Sequence, residues 1–372
     1  MTTTAVTETK TKVAFIVGDG DNLNFVKGKR REWMEERSEK CAIEDGMRSD
    51  SMNDDDKHGG GGEKGRPMRT KCFPLLWTLS PHVLYAAPNW ARWYYSKANS
   101  TQADYIILPP SGHLYGYPSM IRSDADTERY VELTQDDAYL MGTELAVTWE
   151  WFFSWGGAKR DYLPRYARQS RGKNGRGSGG GRHRQQQGLK GFVAVNVPYP
   201  LPPIPPVFGP FNENFYAIIR GRGGSGDGGV NAAEGEEATM EEESERSLQE
   251  SSNRSLDEYN DDTGNVVILF RSREWRGTDG KNHGPGSGPS YRTVEEFAYE
   301  INGYKAGSVV AVYMTSDGGL DLDAVDKLVP LLADHVDIVG PRALVPAALT
   351  GEGGGKDKEA IGSQSGGESR AV

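Results

Sequence analysis

Residues 105–149 read YIILPPSGHLYGYPSMIRSDADTERYVELTQDDAYLMGTELAVTW. The stretch opens on a continuous apolar run, Tyr105–Leu108, and closes on another, Leu145–Trp149. Between them a loop rich in proline and glycine precedes Thr127–Met141, an amphipathic segment of helical period. Runs that are apolar at every position suit strands covered on both faces, as parallel strands are. Parallel strands also need a crossover, usually a helix. This stretch therefore predicts a strand–helix–strand unit of a parallel sheet.

The pattern repeats outward in both directions. Further candidate strands are Val13–Val17, Phe73–Leu79, Phe192–Val197, Val266–Phe270, Val309–Met314 and Val336–Val339. Val83–Lys97 follows Ser80-Pro81, a cap and first-turn proline signal. Thr293–Ile301 opens with the capping box Thr293-x-x-Glu296. Leu322–His335 places Val325, Leu328, Leu331 and Leu332 on one helical face. Eight strands with interleaved helices in roughly 240 foldable residues match an α/β fold, a parallel (β/α) barrel of TIM type, which typically needs ~250. A distorted barrel, one missing a strand, or an open doubly wound sheet shares the same period. Tyr199–Pro210 (YPLPPIPPVFGP) can be neither helix nor strand interior and is expected to run extended after the fifth strand.

Composition explains why only part of the chain folds. Of 372 residues 36% are hydrophobic, 48 are glycine, and the formal charge is −10. The dilution is local, in long, disordered low-complexity insertions at 40–70, 170–190, 221–262 and 276–290 and a disordered tail at 350–372. The expected organisation is a lead at 1–12 and one domain at 13–349 that these insertions interrupt. Tract 221–262 holds 13 acidic and 3 basic residues, so the rest of the chain is balanced and gives no reason to expect a polyanion. The basic run 170–190 lacks a stacking aromatic, which favours a solvated insertion over a nucleic-acid tail, and no nucleic-acid partner is expected. No run of ~20 apolar residues exists, so no membrane partner is expected either. Two cysteines cannot build a disulfide scaffold or a four-cysteine zinc site; Cys72 reads as a free buried thiol. There is no G-x-G-x-x-G and no paired-histidine spacing, so no cofactor and no metal is expected. Met1–Lys12 has no apolar h-region of an export signal, which leaves the localisation unassigned.

In parallel α/β folds ligands bind at the carboxyl ends of the strands. The first strand runs into Gly18-Asp19-Gly20-Asp21-Asn22, two carboxylates and an amide on a glycine-hinged turn. These groups could bind a ligand or merely cap the helix from Leu23. Trp149-Glu150-Trp151 sets an acid between indoles, where its charged form is disfavoured, as suits a general acid. A surface glutamate on a turn is the plain alternative. Arg271-x-x-Glu274-Trp275 and Thr315-Ser316-Asp317 end two later strands. The loop after Leu108 carries Ser111, Gly112, His113, Tyr115 and Tyr117, braced by Pro118. Tyrosine faces with adjacent hydroxyls suit a pyranose, or could plug a barrel end.

Gly112 to Pro118 resembles the signature of the GxGYxYP putative glycoside hydrolases, specifically their C-terminal domain. Gly18–Asn22 is similar to that family's S-D-G-D-N turn, Trp77-Thr78-Leu79-Ser80-Pro81 to its W-T-I-S-P, and Pro110-Ser111-Gly112 to its P-S-G. Val336 to Leu349 resembles its closing segment. The second glycine of the signature is Leu114 here, with Gly116 after the tyrosine, and His113 fills a variable place. Family members usually carry an N-terminal domain and are often exported, so the chain is expected to be either an incomplete gene product or a lone C-terminal domain.

The resemblance implies a carbohydrate substrate and hydrolysis by paired carboxylates. Asp19 or Asp21 with Glu150 is the expected catalytic pair, with Glu274 as substitute acid. Asn22, Trp77, Ser111, Gly112, His113, Tyr115, Tyr117, Trp149, Arg271 and Trp275 are the expected substrate contacts. Two alternatives stand beside this: a carbohydrate-binding domain without catalysis, and a metal-dependent carbohydrate deacetylase with Asp19, Asp21 and His113 as ligands.

Overall fold

The computed structural model describes residues 10–22, 26–51, 72–150, 157–169, 188–196, 216–220, 266–277, 291–315 and 320–350. In chain order the elements are β1 (Thr11–Val17), α1 (Lys29–Ser51), β2 (Leu75–Thr78), α2 (Val83–Ala86), α3 (Pro88–Thr101), β3 (Asp104–Ile107), α4 (Asp124–Met141), β4 (Leu145–Glu150) and α5 (Leu163–Gln169). There follow β5 (Gly191–Asn196), β6 (Tyr216–Arg220), β7 (Val266–Trp275), α6 (Val294–Asn302), β8 (Val309–Met314), α7 (Leu322–Leu328), β9 (Val336–Ile338) and α8 (Pro341–Thr350).

Seven parallel strands form one sheet in the order β3-β2-β1-β8-β7-β5-β4. The sheet curls into a half-barrel whose edge strands meet at one bridge, Leu108 against Ala146. The fold is thus α/β and TIM-like, in the distorted form. β7 makes the turn of the sheet possible: its first half pairs with β5 and its second half with β8. β6 runs antiparallel to β7, an addition that strand patterning did not predict. β9 pairs with the start of β1, at Thr11–Val13.

Alternation along the strands separates two cores. Val13, Phe15, Val17, Leu75, Trp77 and Trp275 face outward and pack with helix residues such as Met34, Tyr94 and Phe297. Ala14, Ile16, Leu76, Val147, Val193, Phe270 and Tyr313 face the concave side, where Leu344, Val345 and Ala348 of α8 join them. A Cβ on Gly191, the first residue of β5, would lie 3.4 Å from Val345, so α8 seals the N-terminal end of the barrel.

Three predicted segments end differently, each for a local reason. Val83–Lys97 is two helices, because Pro88 forces Ala87 out of the helical region, to φ −146° and ψ 61°. Leu322–His335 stops at Leu328, where Pro330 tightens the chain into a 3₁₀ turn. α1 runs to Ser51, inside the tract read as low-complexity at 40–70. The other insertion tracts, the tail and Tyr199–Pro210 fall almost wholly outside the described residues.

The cysteines correct the sequence reading. Cys41 on α1 and Cys72 before β2 form a disulfide, with Cα atoms 5.4 Å apart, so Cys72 is not a free thiol. A cross-link closing a loop of this length contributes on the order of 3–4 kcal/mol in the chain-entropy account. A second tie lies beside it: the Arg37 Nε and the Trp77 indole N–H both donate to Asp104 Oδ1, at 2.7 and 3.0 Å.

Candidate active site

The C-terminal mouth of the half-barrel is built around the turn after β1. Gly18 leaves room for the Tyr313 ring; a Cβ there would lie 2.6 Å from the phenol oxygen. The phenol in turn accepts from the Asp19 amide at 3.4 Å. Gly20 lies against β2, where its amide donates to Thr78 Oγ1 at 3.0 Å. A Cβ on Gly20 would come within 1.8 Å of the Thr78 carbonyl oxygen. Asp19 itself sits at φ 60°, an uncommon conformation for a residue other than glycine. The two carboxylates are thus held by close backbone packing. Burial pushes the Asp21 carboxyl above its ordinary range; its own amide pulls it down, Asp19 adds to the rise, and Arg30 opposes it. Asn22 is exposed, and its carbonyl accepts from the Val26 amide at the start of the next helix.

Register decides which other acid belongs to this mouth. Glu274 pairs with Tyr313 across β7 and β8, and alternation from Ile268 and Phe270 puts it on the concave side. Its Oε2 lies 3.5 Å from Arg276 Nη2. Asp19, Tyr313 and Glu274 therefore stand in succession over β1, β8 and β7. Glu150 does not join them. It follows the inward Trp149 and points into the helix layer, fully buried. There Oε1 accepts from the Ser119 amide at 3.0 Å, Oε2 accepts from the Ser119 hydroxyl, and its charge is felt by Tyr130 and Tyr162. Strand parity thus does not bring Glu150 to the Asp19–Asp21 turn with which it was expected to pair. Trp151 and Ser316-Asp317 lie outside the described residues.

The loop after β3 is latched to both neighbours. Ser111 (φ 66°) and Gly112 (φ 70°) turn it sharply, and the Ser111 amide donates to the Val147 carbonyl at 2.9 Å. The Ser111 hydroxyl donates to the Gly116 carbonyl, and Tyr130 of α4 donates to the Leu114 carbonyl. Tyr115 is 61% exposed and stands edge-on to Trp149, with centroids 5.4 Å apart. The buried Trp149 indole nitrogen has no partner among the described residues. Tyr117 is half-buried at the start of the Pro118–Met120 turn.

His113 is engaged elsewhere. Its Nδ1 lies 2.6 Å from Asp137 Oδ2, its amide donates to Thr134, and its ring is 5.1 Å from that of His82. Asp137, in the middle of α4, had no sequence signal beyond its acidic type; only the fold brings it to the loop. Among the described residues no group of three or more His, Cys, Asp or Glu side chains is arranged to hold a metal ion. Three expected substrate contacts face the helix layer rather than the concave side. Trp77 is fully buried against Asp104, and Trp275 is stacked on Phe297 at 4.6 Å in the outer core. Arg271 shares that outward face with Arg273, which is bound to Glu300.

Fold and mouth together define an α/β half-barrel that presents carboxylates and aromatic rings at its strand ends. Residues 65–173 match the sequence model of the GxGYxYP putative glycoside hydrolase C-terminal domain. That span includes the Trp77–Pro81 and Gly112–Pro118 segments; the acidic turn and α8 lie beyond it. A solved structure described as a putative hydrolase from Bacteroides thetaiotaomicron VPI-5482 is similar in fold, with a TM-score of 0.52 and 18% identity. The match covers 92% of this chain and 46% of that one, so the chain spans about half of that protein's length. No curated protein matches. Among the described residues no helix is long and apolar enough to cross a membrane.

Proposed function

We propose that the chain is a glycoside hydrolase domain in which the Asp19-Gly20-Asp21 turn and Glu274 supply the two carboxyl groups. The observation that carries this reading is the register, which sets Glu274 and the turn on either side of Tyr313. β7 and β1 flank β8, so their backbones stand about two strand spacings, ~9.6 Å, apart. Side chains leaning across that span reach the ~5–5.5 Å of a retaining pair or the ~6.5–9.5 Å of an inverting one. Asp21, whose burial favours the protonated form, is the proton donor to the leaving oxygen. Glu274, beside Arg276, is the ionised partner, base or nucleophile. Tyr115 and Trp149 offer ring faces to the sugar.

The test is release of reducing ends from a glycan panel by the wild type, Asp21→Asn and Glu274→Gln. Loss in each variant with the fold intact supports the assignment; full activity in both overturns it. Binding without cleavage is the second reading, favoured by Tyr115 and its neighbours Leu114 and Met120, all exposed beside the mouth. Glycan affinity with no product from the wild type would select it.

A further inference from the structure

Beneath the acidic turn lies a cation that the chemistry above does not use. Arg30 of α1 is 1% exposed. Among the described residues its guanidinium donates only to neutral oxygens, Thr78 Oγ1 and the Val17 carbonyl, both at 3.4 Å. Its Nε is buried without a partner among the described residues. A guanidinium taken out of water with no hydrogen-bonded carboxylate is costly unless negative charge stands close by. The turn supplies that charge. A Cβ on Gly20 would lie 2.7 Å from Arg30 Nη1, so the backbone between the two aspartates rests on the guanidinium. Asp19 and Arg30 also line one pocket with Gly18, Thr315 and Asp321.

Among the described residues, few ionisable groups surround Arg30. Asp19 and Asp21 face it from the turn, Tyr313 from β8 and Tyr94 from α3. Asp321, across the pocket, is committed to the Ala324 amide at the start of α7. On its own helix, Lys29 and Arg31 lie over Trp33 and Trp93.

We infer that Arg30 is a positioning residue for the Asp19–Asp21 pair: its buried charge keeps one of the two carboxylates ionised, and the other is left to carry the proton. A second proton on the turn would leave the guanidinium without a counter-charge, and a second negative charge would meet the first. This rests on the reading of the turn as the acid half of the site. Burial lowers the Arg30 pKa while Asp19 and Asp21 raise it, the same coupling seen from the other side.

Carboxyl-carbon NMR titration of the aspartates in the wild type, Arg30→Lys and Arg30→Gln tests this without any substrate. Arg30→Gln should raise the apparent pKa values of the pair, the upper one by about one unit, and Arg30→Lys should largely restore them. In the wild-type protein the Arg30 Nε–H resonance should shift with the same midpoint as the pair. An Arg30 signal that stays flat through that titration, or an unchanged pair in Arg30→Gln, overturns the inference. Should Arg30→Gln not fold, the wild-type signal decides alone. A protein that cleaves no glycan would still give these titrations, so failure of the hydrolase reading and failure of this one are separate results.

Discussion

The two ends of the half-barrel are made from the same strands and organised on opposite principles. At the N-terminal end α8 fills the concave side with Leu344, Val345 and Ala348, and Asp337 of β9 is paired with Lys10 and Lys12. At the C-terminal end the strands release into turns where Asp19 and Ser111 hold positive φ, and Arg30 lies buried under the acidic pair. Two aspartates show the contrast. Asp337, despite burial that pushes it up, is held below its ordinary value by the two lysines, whereas Asp21 is pushed up by burial. One end pairs its aspartate with two lysines at the surface; the other buries an acid and a cation beside strained turns, as functional sites do.

The comparison breaks if the mouth behaves like the base. Asp21→Asn or Glu274→Gln should lower glycan turnover by about 10²–10⁴-fold, the usual worth of a general acid or base. Melting temperature should hardly fall in either variant. If melting collapses and turnover per folded molecule stays, the acids are structural. Leu344→Ala should do the reverse at the base, costing about 2–5 kcal/mol in denaturant unfolding with turnover per folded molecule unchanged.

What could be read in the sequence follows the same division. Apolar runs at 13–17, 145–149 and 309–314 are local signals, and all lie within β1, β4 and β8. The capping box at Thr293 and Glu296 forms as the motif predicts. The acidic turn follows β1 directly and Tyr115 lies in the loop after β3, so their place at strand ends was legible in the sequence. Side-chain direction could not be settled without exact strand limits. One residue of parity separates Trp149, which faces the mouth, from Glu150, which does not, and the same parity turns Trp77, Arg271 and Trp275 to the helix layer. Arg30, Tyr313 and Asp137 reach their positions through contacts far apart in sequence, which no spacing encodes. The Cys41–Cys72 bond belongs with them, because its partners meet only when α1 packs beside β2.

A smaller effect sharpens the contrast between the two aspartates. Asp21 has a raised pKa in the folded state, so its stabilising contribution is present below its ordinary value of 3.8 and lost as pH rises through the folded value. Asp21→Asn should therefore be more stable than wild type at pH 7, by about 0.5–2 kcal/mol, with the gain vanishing on acidification. Asp337 is lowered, so its contribution is present above 3.8 and lost as pH falls through the folded value. Asp337→Asn should lose a few tenths of a kcal/mol at pH 7, as partly exposed pairs do, and nothing at low pH. Denaturant titrations at pH 3, 5 and 7 separate the two signs; equal signs would mean that the ends do not differ in this way.

The smallest effect concerns the aromatic side of the mouth. Tyr115 is largely exposed and touches Trp149 only by its edge, so Tyr115→Ala removes little buried surface and should leave the melting temperature within about a degree. A sugar ring stacked there would lose about 0.5–1.5 kcal/mol, a two- to tenfold weaker KM or Kd. The Trp149 indole N–H is buried without a partner among the described residues on this side of the mouth. Trp149→Phe keeps the ring and removes that donor, so it should weaken binding without further loss of stacking. Equal glycan affinity in wild type, Tyr115→Ala and Trp149→Phe would move the sugar off this side of the mouth. Recognition would then have to come from the acids alone, and the chemistry at the mouth would lack the ring contacts that hold a pyranose in place.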